Sequence, residues 1–371
     1  MKSAQLLTDG KNAFPAIIKD IDEAEKSVYI NMFIWRDDAI GNRMAEAVLK
    51  AAERGVKVTI VVDRFAAILE KAEECRKTFF HKKLTAKEKL LSRALARVYP
   101  YKENVLQKDE ETPLYKAILS HPNIRLLRDE VKKDHSKFYV IDDKILIFGG
   151  INIEDKETHA DFQGRVYRDF MARFEGEDVV AAFWRKMYDW EDCDLPFKFC
   201  VNTKKDGKKL FEVGDAYLGM VRRAEKRIVM VCPYLSPLKP LFSGLKAAHA
   251  RGVKIDLLIP TSANLQNDCN RRTAAKLKSA LPNLNLYVSP QMVHAKVLIC
   301  DNEYCFGSAN FNNTAFYVLR ELNLWGNGEP KELFLQLEQS VKELFDIAEK
   351  VTDPKRIKYS KFRALIESRF A

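Results

Sequence analysis

Apolar residues recur along the chain at the spacings of helices and of strands, and the same helix–turn–strand pattern occurs twice. Residues 44–53 carry apolar side chains at helical spacing, Gly55 follows as a turn, and residues 56–62 are almost continuously apolar. This succession predicts a helix, a tight turn and a buried strand. A second copy predicts a helix that ends at His249 and a strand over residues 255–259, and both copies share the turn sequence RGVK.

The repeat extends on both sides of this unit. The similar segments AEKSVYINMFIW and AEKRIVMVCPYL precede the two copies, and extended segments at residues 123–127 and 283–288 follow them. Each extended segment leads to a predicted strand that opens with a histidine. Because strands alternating with helices indicate βαβ units, the sequence predicts an α/β fold of two similar lobes, with mixed, largely parallel sheets flanked by helices.

We expect a first lobe over residues 1–197, a second lobe over residues 198–352 and a tail over residues 353–371. The distance from the RGVK arginine to the next strand histidine is 81 residues in the first lobe and 43 in the second. The first lobe therefore carries an insertion of about 38 residues, which we expect within about residues 66–118.

The insertion and the tail are both basic and amphipathic. Residues 71–97 contain nine Lys or Arg against three Glu, and the tail contains six against two acidic residues. Apolar side chains recur at roughly helical spacing at Phe79, Phe80, Leu84, Leu91 and Leu95, and in the tail at Phe362, Leu365, Ile366 and Phe370. Two interpretations stay open for each segment: an element that lies on a membrane surface, or a helix that packs on the protein body.

The composition is globular and excludes disordered and collagen-like chains. The 62 Lys and Arg against 52 Asp and Glu leave a formal charge of +10, which favours phosphate-bearing partners, either nucleic acid or an anionic membrane. By net count, six of these charges lie in residues 71–97 and four in the tail, which favours the membrane. Because no apolar run reaches the roughly 20 residues of a spanning helix, we expect a protein that acts from the membrane surface.

The cysteines point to a reducing compartment. The chain has seven, with no CxxC pair and no zinc-site spacing, at positions 75, 193, 200, 232, 269, 300 and 305. An odd number in apolar segments predicts free thiols in the cytosol.

The repeated histidine strands carry the residues best suited to catalysis. Both follow the pattern His-x-Lys-x4-Asp, which places His135, Lys137 and Asp142 in the first lobe and His294, Lys296 and Asp301 in the second. Because alternate side chains of a strand share one face, each His–Lys pair is expected to point the same way. A second strand then returns to a pair of small residues and an asparagine, which are Gly149, Gly150 and Asn152 in one copy and Gly307, Ser308 and Asn310 in the other.

Two histidines, two lysines and two asparagines converging on one point would form a cation-rich pocket for a phosphate. With an ordinary pKa of about 6.5, a histidine can act as a nucleophile or as a proton donor near pH 7. One histidine would form a covalent intermediate, and the other would protonate the leaving oxygen. The lysines and asparagines would stabilise charge on the phosphate oxygens. Because the motif lacks a carboxylate cluster, we expect neither a metal nor another cofactor.

The duplicated motif is the hallmark of the phospholipase D superfamily, which the sequence resembles over nearly its whole length. The sequence is most similar to the bacterial cardiolipin synthases, through the opening QLLTDGKNAFPAIIKDIDEAEKSVYINMFIW, the segments IFGGINI and YRDF, and HAKVLICDNEYCFGSANFNNTAF with RELNL. The resemblance implies two α/β lobes related by a pseudo-twofold axis, with the active site at their interface.

The resemblance also implies roles for individual residues. His135 would form a phosphohistidine and His294 would act as acid and then base, with the order open. The phosphate-binding and supporting positions would be Lys137, Lys296, Asn152, Asn310, Gly150 and Ser308. Asp142 and Asp301 would brace neighbouring groups, and the carboxylates of Asp169 and Glu321 would hold the imidazole tautomers.

Two departures from the family pattern stand out. Many cardiolipin synthases begin with membrane-spanning helices, and this chain is similar instead to the shorter, peripheral members. Ser136 stands where relatives often have arginine, which would alter contacts with the substrate.

The resemblance predicts a phosphatidyltransferase that moves a phosphatidyl group between phospholipids, with phosphatidylglycerol as the expected substrate, and releases the head-group alcohol. Two alternatives stay open: a phospholipase D that hydrolyses phospholipids to phosphatidic acid, and a phosphodiesterase or nuclease acting on nucleic acid. The nuclease is disfavoured, because bacterial nucleases of this superfamily are typically single-motif chains that dimerise. The expected partners are phospholipids and an anionic membrane, with the protein peripheral on the cytoplasmic face of the inner membrane.

Overall fold

The computed structural model describes residues 1–73, 77–97, 110–128, 132–161 and 163–369. The chain forms two compact units, Met1–Ala182 and Phe183–Ala371. Each unit is built around one large sheet with helices packed against it, and each is described separately below.

The first unit contains a seven-stranded sheet in the order β1-β8-β6-β5-β2-β3-β4. In chain order its elements are β1 (Ser3–Thr8), α1 (Asp9–Asp22), β2 (Ser27–Met32), α2 (Ala39–Glu53), β3 (Lys57–Val62), α3 (Arg64–Ala72), α4 (Ala86–Leu95), α5 (Pro113–Ser120), β4 (Ile124–Leu127), β5 (Phe138–Ile141), β6 (Ile145–Gly149), a 3-10 turn (Asp155–Glu157), β7 (Tyr167–Arg168), β8 (Phe170–Glu175) and α6 (Glu177–Asp189), which continues into the second unit.

The second unit contains a nine-stranded sheet in the order β10-β9-β17-β16-β15-β11-β12-β13-β18. In chain order its elements are β9 (Phe197–Lys205), β10 (Lys208–Phe211), α7 (Val213–Arg223), β11 (Arg227–Val231), α8 (Lys239–Ala250), β12 (Lys254–Pro260), α9 (Asn267–Ala280), β13 (Asn285–Ser289), β14 (Met292–Val293), β15 (Val297–Cys300), β16 (Glu303–Gly307), α10 (Asn313–Tyr317), β17 (Glu321–Asn327), α11 (Lys331–Asp346), β18 (Glu349–Val351), a 3-10 turn (Pro354–Arg356) and α12 (Lys361–Glu367).

The repeated helix–turn–strand unit is confirmed in both units. The predicted helix and strand of the first copy are α2 and β3, joined through Gly55 at a φ of +97°, a left-handed conformation that glycine adopts without a steric penalty. α2 begins earlier than predicted because the Asp38 side chain caps it, accepting the N–H of Gly41 at 3.0 Å. The second copy is α8 and β12, with Gly252 at a φ of +86°.

Both sheets are mixed, which confirms the predicted α/β class, but they are less parallel than the sequence suggested. Among the described strands of the two large sheets, parallel pairing is confined to β2–β3–β4 and to β11–β12–β13. The strand after each histidine is antiparallel to both of its neighbours. Chain length explains this difference, because only residues 142–144 join β5 to β6, whereas a parallel crossover needs a dozen residues or more.

The insertion divides into a buried part and an exposed part. Residues 77–85 are not helical, and Phe79 and Phe80 are buried there against Trp35, with ring centroids 6.0 and 5.1 Å away. α4 instead exposes Leu90 and Leu91. The apolar residues that were expected on one face of a helix therefore lie on two surfaces: Phe79 and Phe80 in the core, and Leu90 and Leu91 on the exposed side of α4. Residues 98–109 of the insertion lie outside the described part of the chain.

The tail packs on α9 through one face of α12. Ala364 and Glu367 are buried, and a Glu367 carboxylate oxygen accepts the backbone N–H of Cys269 at 2.7 Å. Phe362 and Leu365 lie on the exposed side, and Phe370 lies outside the described residues. One side of this short helix thus docks on the body while two large apolar side chains face solvent.

The cysteines that the structure describes are free thiols, as predicted, and all but Cys193 are buried; Cys75 lies outside the described residues. In the same part of the chain, no helix has the length and apolar character needed to cross a membrane.

Candidate active site

His135 and Lys137 lie immediately before β5 rather than inside a strand. The last ladder pair between β2 and β5 joins Asn31 to Phe138, and the Asn31 side-chain amide bonds to the Ser136 carbonyl at 3.0 Å in place of a further ladder bond. The strand was predicted to begin at the histidine, and this prediction is wrong by three residues. The second unit shows the same shift, because β15 begins at Val297.

Each motif lysine is buried and folds back on its own histidine. The Lys137 ammonium donates to the His135 carbonyl and lies 5.0 Å from the centroid of the Phe33 ring. The His135 ring meets that same phenylalanine edge-on, with centroids 4.7 Å apart. One aromatic ring therefore contacts both the imidazole and the lysine of the first motif.

In the second unit a tyrosine lies beside the motif histidine. The Lys296 ammonium donates to the His294 carbonyl, and the lysine is 1% exposed. The His294 ring meets Tyr234 at near-perpendicular planes, with centroids 5.9 Å apart. In both units a buried positive charge is held beside the histidine that precedes it by two residues.

The motif aspartates brace the backbone. The Asp142 carboxylate accepts the N–H groups of Glu25, Lys26 and Ser27 at 2.7–2.9 Å, which fixes the entry into β2. Asp301 accepts the N–H groups of residues 225–227 at 2.8–3.0 Å, which fixes the entry into β11. Burial alone would raise the pKa of each carboxyl, but the three backbone donors lower it below the ordinary value.

In the first unit, Gly150 packs directly against the Asp169 carboxylate. A Cβ on Gly150 would lie 2.3 and 2.4 Å from the two carboxylate oxygens, so only glycine fits while Asp169 keeps this position. Asp169 is 1% exposed, and one of its oxygens accepts the N–H of Phe170 at 2.8 Å.

The equivalent position in the second unit is Ser308, whose hydroxyl donates to a Glu321 carboxylate oxygen at 2.5 Å. Here the carboxylate lies at hydrogen-bond distance from a side chain that carries a Cβ. In each unit a buried carboxylate thus contacts the residue that lies two positions before the asparagine, Gly150 in the first unit and Ser308 in the second.

Asn152 and Asn310 follow these positions, and both are buried. Among the described residues, the Oδ1 atom of each side chain has no hydrogen-bond partner. A buried amide with unmet hydrogen-bonding capacity is uncommon in folded proteins, and it occurs here at the same position in both repeats. The unmatched atom is an oxygen, which only accepts, so the pair indicates a ligand group that donates a hydrogen bond, such as a hydroxyl.

A polar network behind His135 was not predicted from the sequence. The buried Asp63 carboxylate accepts the N–H of Asp134 at 2.8 Å and caps α3 by accepting the N–H of Ala66 at 2.7 Å. Asp134 in turn accepts the Ser136 N–H at 3.0 Å, so residues on both sides of His135 are held. Burial raises the pKa of Asp63 to about 6.

A buried charge cluster supports the segment that carries Asn152. Arg36 pairs with Glu73 and with Glu154, and Lys156 pairs with the same two carboxylates at 2.8 and 3.0 Å. Removal of one partner from such a cluster leaves an uncompensated buried charge and costs about 3–5 kcal/mol. The cluster therefore fixes the chain just after Asn152.

The described residues contain no group of three or more His, Cys, Asp or Glu side chains placed to hold a metal ion. The chemistry that can be read from each unit is that of an imidazole beside a buried ammonium, a buried amide and a carboxylate. Such a set can bind a phosphate and move a proton.

A family model described as "Cardiolipin synthase, PLD-like domain" matches residues 17–187 and 217–345. A cardiolipin synthase of Listeria monocytogenes serotype 4b (strain CLIP80459) is 24% identical over 341 residues, covering 86% of this chain and 64% of the relative. A cardiolipin synthase of Clostridium perfringens (strain 13 / Type A) is 23% identical over 345 residues, covering 86% and 66%. This chain thus spans just under two thirds of the length of these curated relatives.

Two solved structures share the fold. The phosphatidylserine synthase of Haemophilus influenzae Rd KW20 aligns with a TM-score of 0.70 at 12% identity, covering 99% of this chain and 92% of that one. The polyphosphate kinase of Porphyromonas gingivalis aligns with a TM-score of 0.55 at 12% identity, covering 92% and 50%. At this level of identity the likeness concerns the fold alone.

Proposed function

The chain belongs to the cardiolipin synthase, PLD-like domain family, and on this basis we propose that it transfers a phosphatidyl group between phospholipids through a phosphohistidine intermediate. The observation that carries the proposal is the repeated set of histidine, buried lysine and buried asparagine in the two units. Reaction at a phosphodiester needs a nucleophile, a proton donor and positive charge for the phosphate oxygens, and this set supplies all three.

The first step forms the covalent intermediate. A ring nitrogen of His135 attacks the phosphorus of the donor lipid, and the bond from phosphorus to the head-group oxygen breaks. His294, protonated, gives its proton to that oxygen, so the head-group alcohol leaves neutral. The phosphatidyl group is then bound to His135, and His294 is left neutral and ready to accept a proton.

The second step returns the enzyme to its starting state. The hydroxyl of an acceptor lipid attacks the phosphorus, and His294 takes the hydroxyl proton as the phosphorus–nitrogen bond breaks. With phosphatidylglycerol as both donor and acceptor, the products are cardiolipin and glycerol. Water in place of the acceptor would give phosphatidic acid.

The other site residues support this chemistry in two ways. Lys137, Lys296, Asn152 and Asn310 bind the phosphate oxygens, because buried cationic and amide donors stabilise charge on them strongly. Asp169 and Glu321 hold the imidazole tautomers from their positions beside Gly150 and Ser308. Asp142 and Asp301 act as positioning residues, since their carboxylates bond to backbone amides.

We also propose that the enzyme docks on an anionic membrane through α4. Leu90 and Leu91 are 68% and 41% exposed there, and the exposed Lys87, Lys89 and Arg93 flank them. Large apolar side chains ringed by cations match the chemistry of an anionic bilayer surface. This docking would place the protein at the cytoplasmic face of the inner membrane, where phosphatidylglycerol is the expected substrate.

Product analysis tests the proposed function. Purified protein is incubated with phosphatidylglycerol vesicles, and the lipids are resolved by mass spectrometry. We expect cardiolipin together with an equal amount of glycerol. Phosphatidic acid without cardiolipin would contradict transfer and establish hydrolysis.

A further inference from the structure

Transfer between two phospholipids brings two phosphates to the protein at once. One is the phosphate that reacts, and the other lies in the head group of the acceptor lipid, next to the hydroxyl that attacks. The second phosphate carries a negative charge of its own. An enzyme that prefers a lipid acceptor to water therefore gains selectivity from a second anion-binding subsite.

The first unit contains a polar cavity of about 160 Å³ that the inserted segment lines together with Arg64 and Arg128. Its charged lining residues are Arg64, Lys82, Lys83, Glu111 and Arg128, and His81 and Tyr115 also line it. Four cations therefore face one carboxylate. None of these side chains belongs to the duplicated motif.

The cations are built into the fold by specific contacts. Arg64 pairs with Glu88 at 2.6 Å, and Arg128 donates to the Tyr115 hydroxyl at 2.8 Å. Lys82 pairs with Asp37 at 2.6 Å, whereas the Lys83 side chain is exposed at the cavity. The cavity walls thus combine anchored guanidinium groups with a lysine that can move toward a ligand.

The pKa of His81 is lowered by burial and by the positive charges around the cavity. The side chain is 4% exposed, and burial together with the positive charges of Arg64 and Arg128 lowers the pKa of His81 to about 3. The ring is therefore neutral at pH 7. The ring also forms a hydrogen bond with the backbone of Asp63, which raises the pKa, and its Nδ1 lies 3.5 Å from the Arg64 guanidinium. An anion in the cavity would therefore meet a neutral ring and four cationic side chains.

The cavity is tied to the first histidine motif through α3. Arg64 is the first residue of this helix, and the preceding Asp63 bonds to the backbone N–H of Asp134, next to His135. The same helix start therefore supports both the cavity and the histidine segment.

We propose that this cavity binds the head-group phosphate of the acceptor phospholipid, an assignment that rests on the proposed phosphatidyl transfer. The bound phosphate would direct the adjacent glycerol hydroxyl toward the phosphatidyl group on His135. The subsite thereby favours a lipid acceptor over water.

Phosphate binding is measured first, by calorimetric titration with inorganic phosphate. We expect the double variant Lys83→Gln/Arg128→Gln to bind one phosphate at least tenfold more weakly than the wild type, because charge-assisted bonds to phosphate are lost. Lys83→Gln alone, which changes an exposed side chain, should weaken binding in the same direction with an unchanged melting temperature. Lys116→Gln is the matched control, because it removes a lysine of α5 that does not line the cavity. Equal binding by the wild type and both cavity variants would overturn the proposal.

The product ratio then identifies the source of the phosphate. With phosphatidylglycerol vesicles, we expect the ratio of cardiolipin to phosphatidic acid to fall at least tenfold in the double variant, whereas a general loss of folded enzyme would lower both products together. An unchanged ratio with weakened phosphate binding would mean that the cavity takes free phosphate, which contradicts the acceptor assignment. If the wild type forms no cardiolipin, phosphatidyl transfer and the acceptor role both fail, and the titration alone decides whether the cavity binds an anion.

Discussion

Replacement of Gly150 by alanine should displace the Asp169 carboxylate and so test its role in the first unit. The added Cβ would lie 2.3 and 2.4 Å from the two carboxylate oxygens. Because ordinary contacts begin above 3 Å, the carboxylate must retreat by on the order of 1 Å. Asp169 is buried and bonds to the Phe170 N–H, so it has little freedom to move without losing that bond.

The size of the effect follows from this displacement. A misplacement of about 1 Å in a group that orients a reacting residue can lower the rate about 100-fold, and overpacking of a buried site costs about 1–3 kcal/mol of stability. We therefore expect Gly150→Ala to lower the kcat for cardiolipin formation by about two orders of magnitude. The assay is product formation from phosphatidylglycerol vesicles, with the melting temperature measured in parallel to correct for unfolded protein.

Ser308→Ala is the matched control from the second unit. That position already carries a Cβ, and the change removes only the hydroxyl, which donates to Glu321 and accepts the N–H of Leu322 at 3.0 Å. Loss of these two hydrogen bonds, of about 1 kcal/mol each, pushes no carboxylate aside, so kcat should fall by less than in Gly150→Ala. If Gly150→Ala retains wild-type kcat, or loses no more than Ser308→Ala, the steric argument and the role of Asp169 are both refuted.

Three further predictions follow from the proposed chemistry, the motif aspartates and α4. His135→Ala and His294→Ala should each lower turnover by roughly 10⁴-fold or more, since each removes a group that acts on the reacting phosphate; substantial turnover by either variant would contradict the two-histidine mechanism. The pKa of Asp142 is lowered in the folded state, so its stabilisation is present at neutral pH and disappears as pH falls from about 4 through the folded pKa. Asp142→Asn should therefore lower the free energy of unfolding by about 1–3 kcal/mol at pH 7 and by progressively less as the pH falls through the folded pKa, and a pH-independent difference in chemical denaturation would refute this assignment. Leu90→Ser with Leu91→Ser should weaken sedimentation with anionic vesicles about tenfold, whereas unchanged partitioning would exclude α4 as the docking surface.

The repeat and its strands could be predicted because their signals are local. The RGVK turns, the apolar runs and the His-x-Lys-x4-Asp spacing each depend on a few consecutive residues, and the structure places α2, β3, α8 and β12 where these patterns predicted. The direction of pairing was predicted less well, because a continuous apolar run shows that a strand is buried without showing which neighbour it pairs with. The three-residue connection between β5 and β6 was the sequence signal for a hairpin.

The supporting contacts of the site could not be predicted, because they join segments far apart in the chain. Glycine at position 150 matched the family pattern, but nothing in the sequence shows that a carboxylate 19 residues later would occupy the space of its side chain. The buried cluster of Arg36, Glu73, Glu154 and Lys156 likewise joins three separate segments. From the sequence alone these residues would be placed on the protein surface, since charged side chains are rarely buried.

The stereochemistry of transfer tests the central claim most directly. A donor phosphatidylglycerol whose phosphate carries one sulfur in a single known configuration is converted to product, and the configuration at phosphorus is read by ³¹P nuclear magnetic resonance. Each in-line displacement inverts the phosphorus, so two displacements through a phosphohistidine predict overall retention. Inversion would show a single direct displacement by the acceptor and would contradict the covalent mechanism.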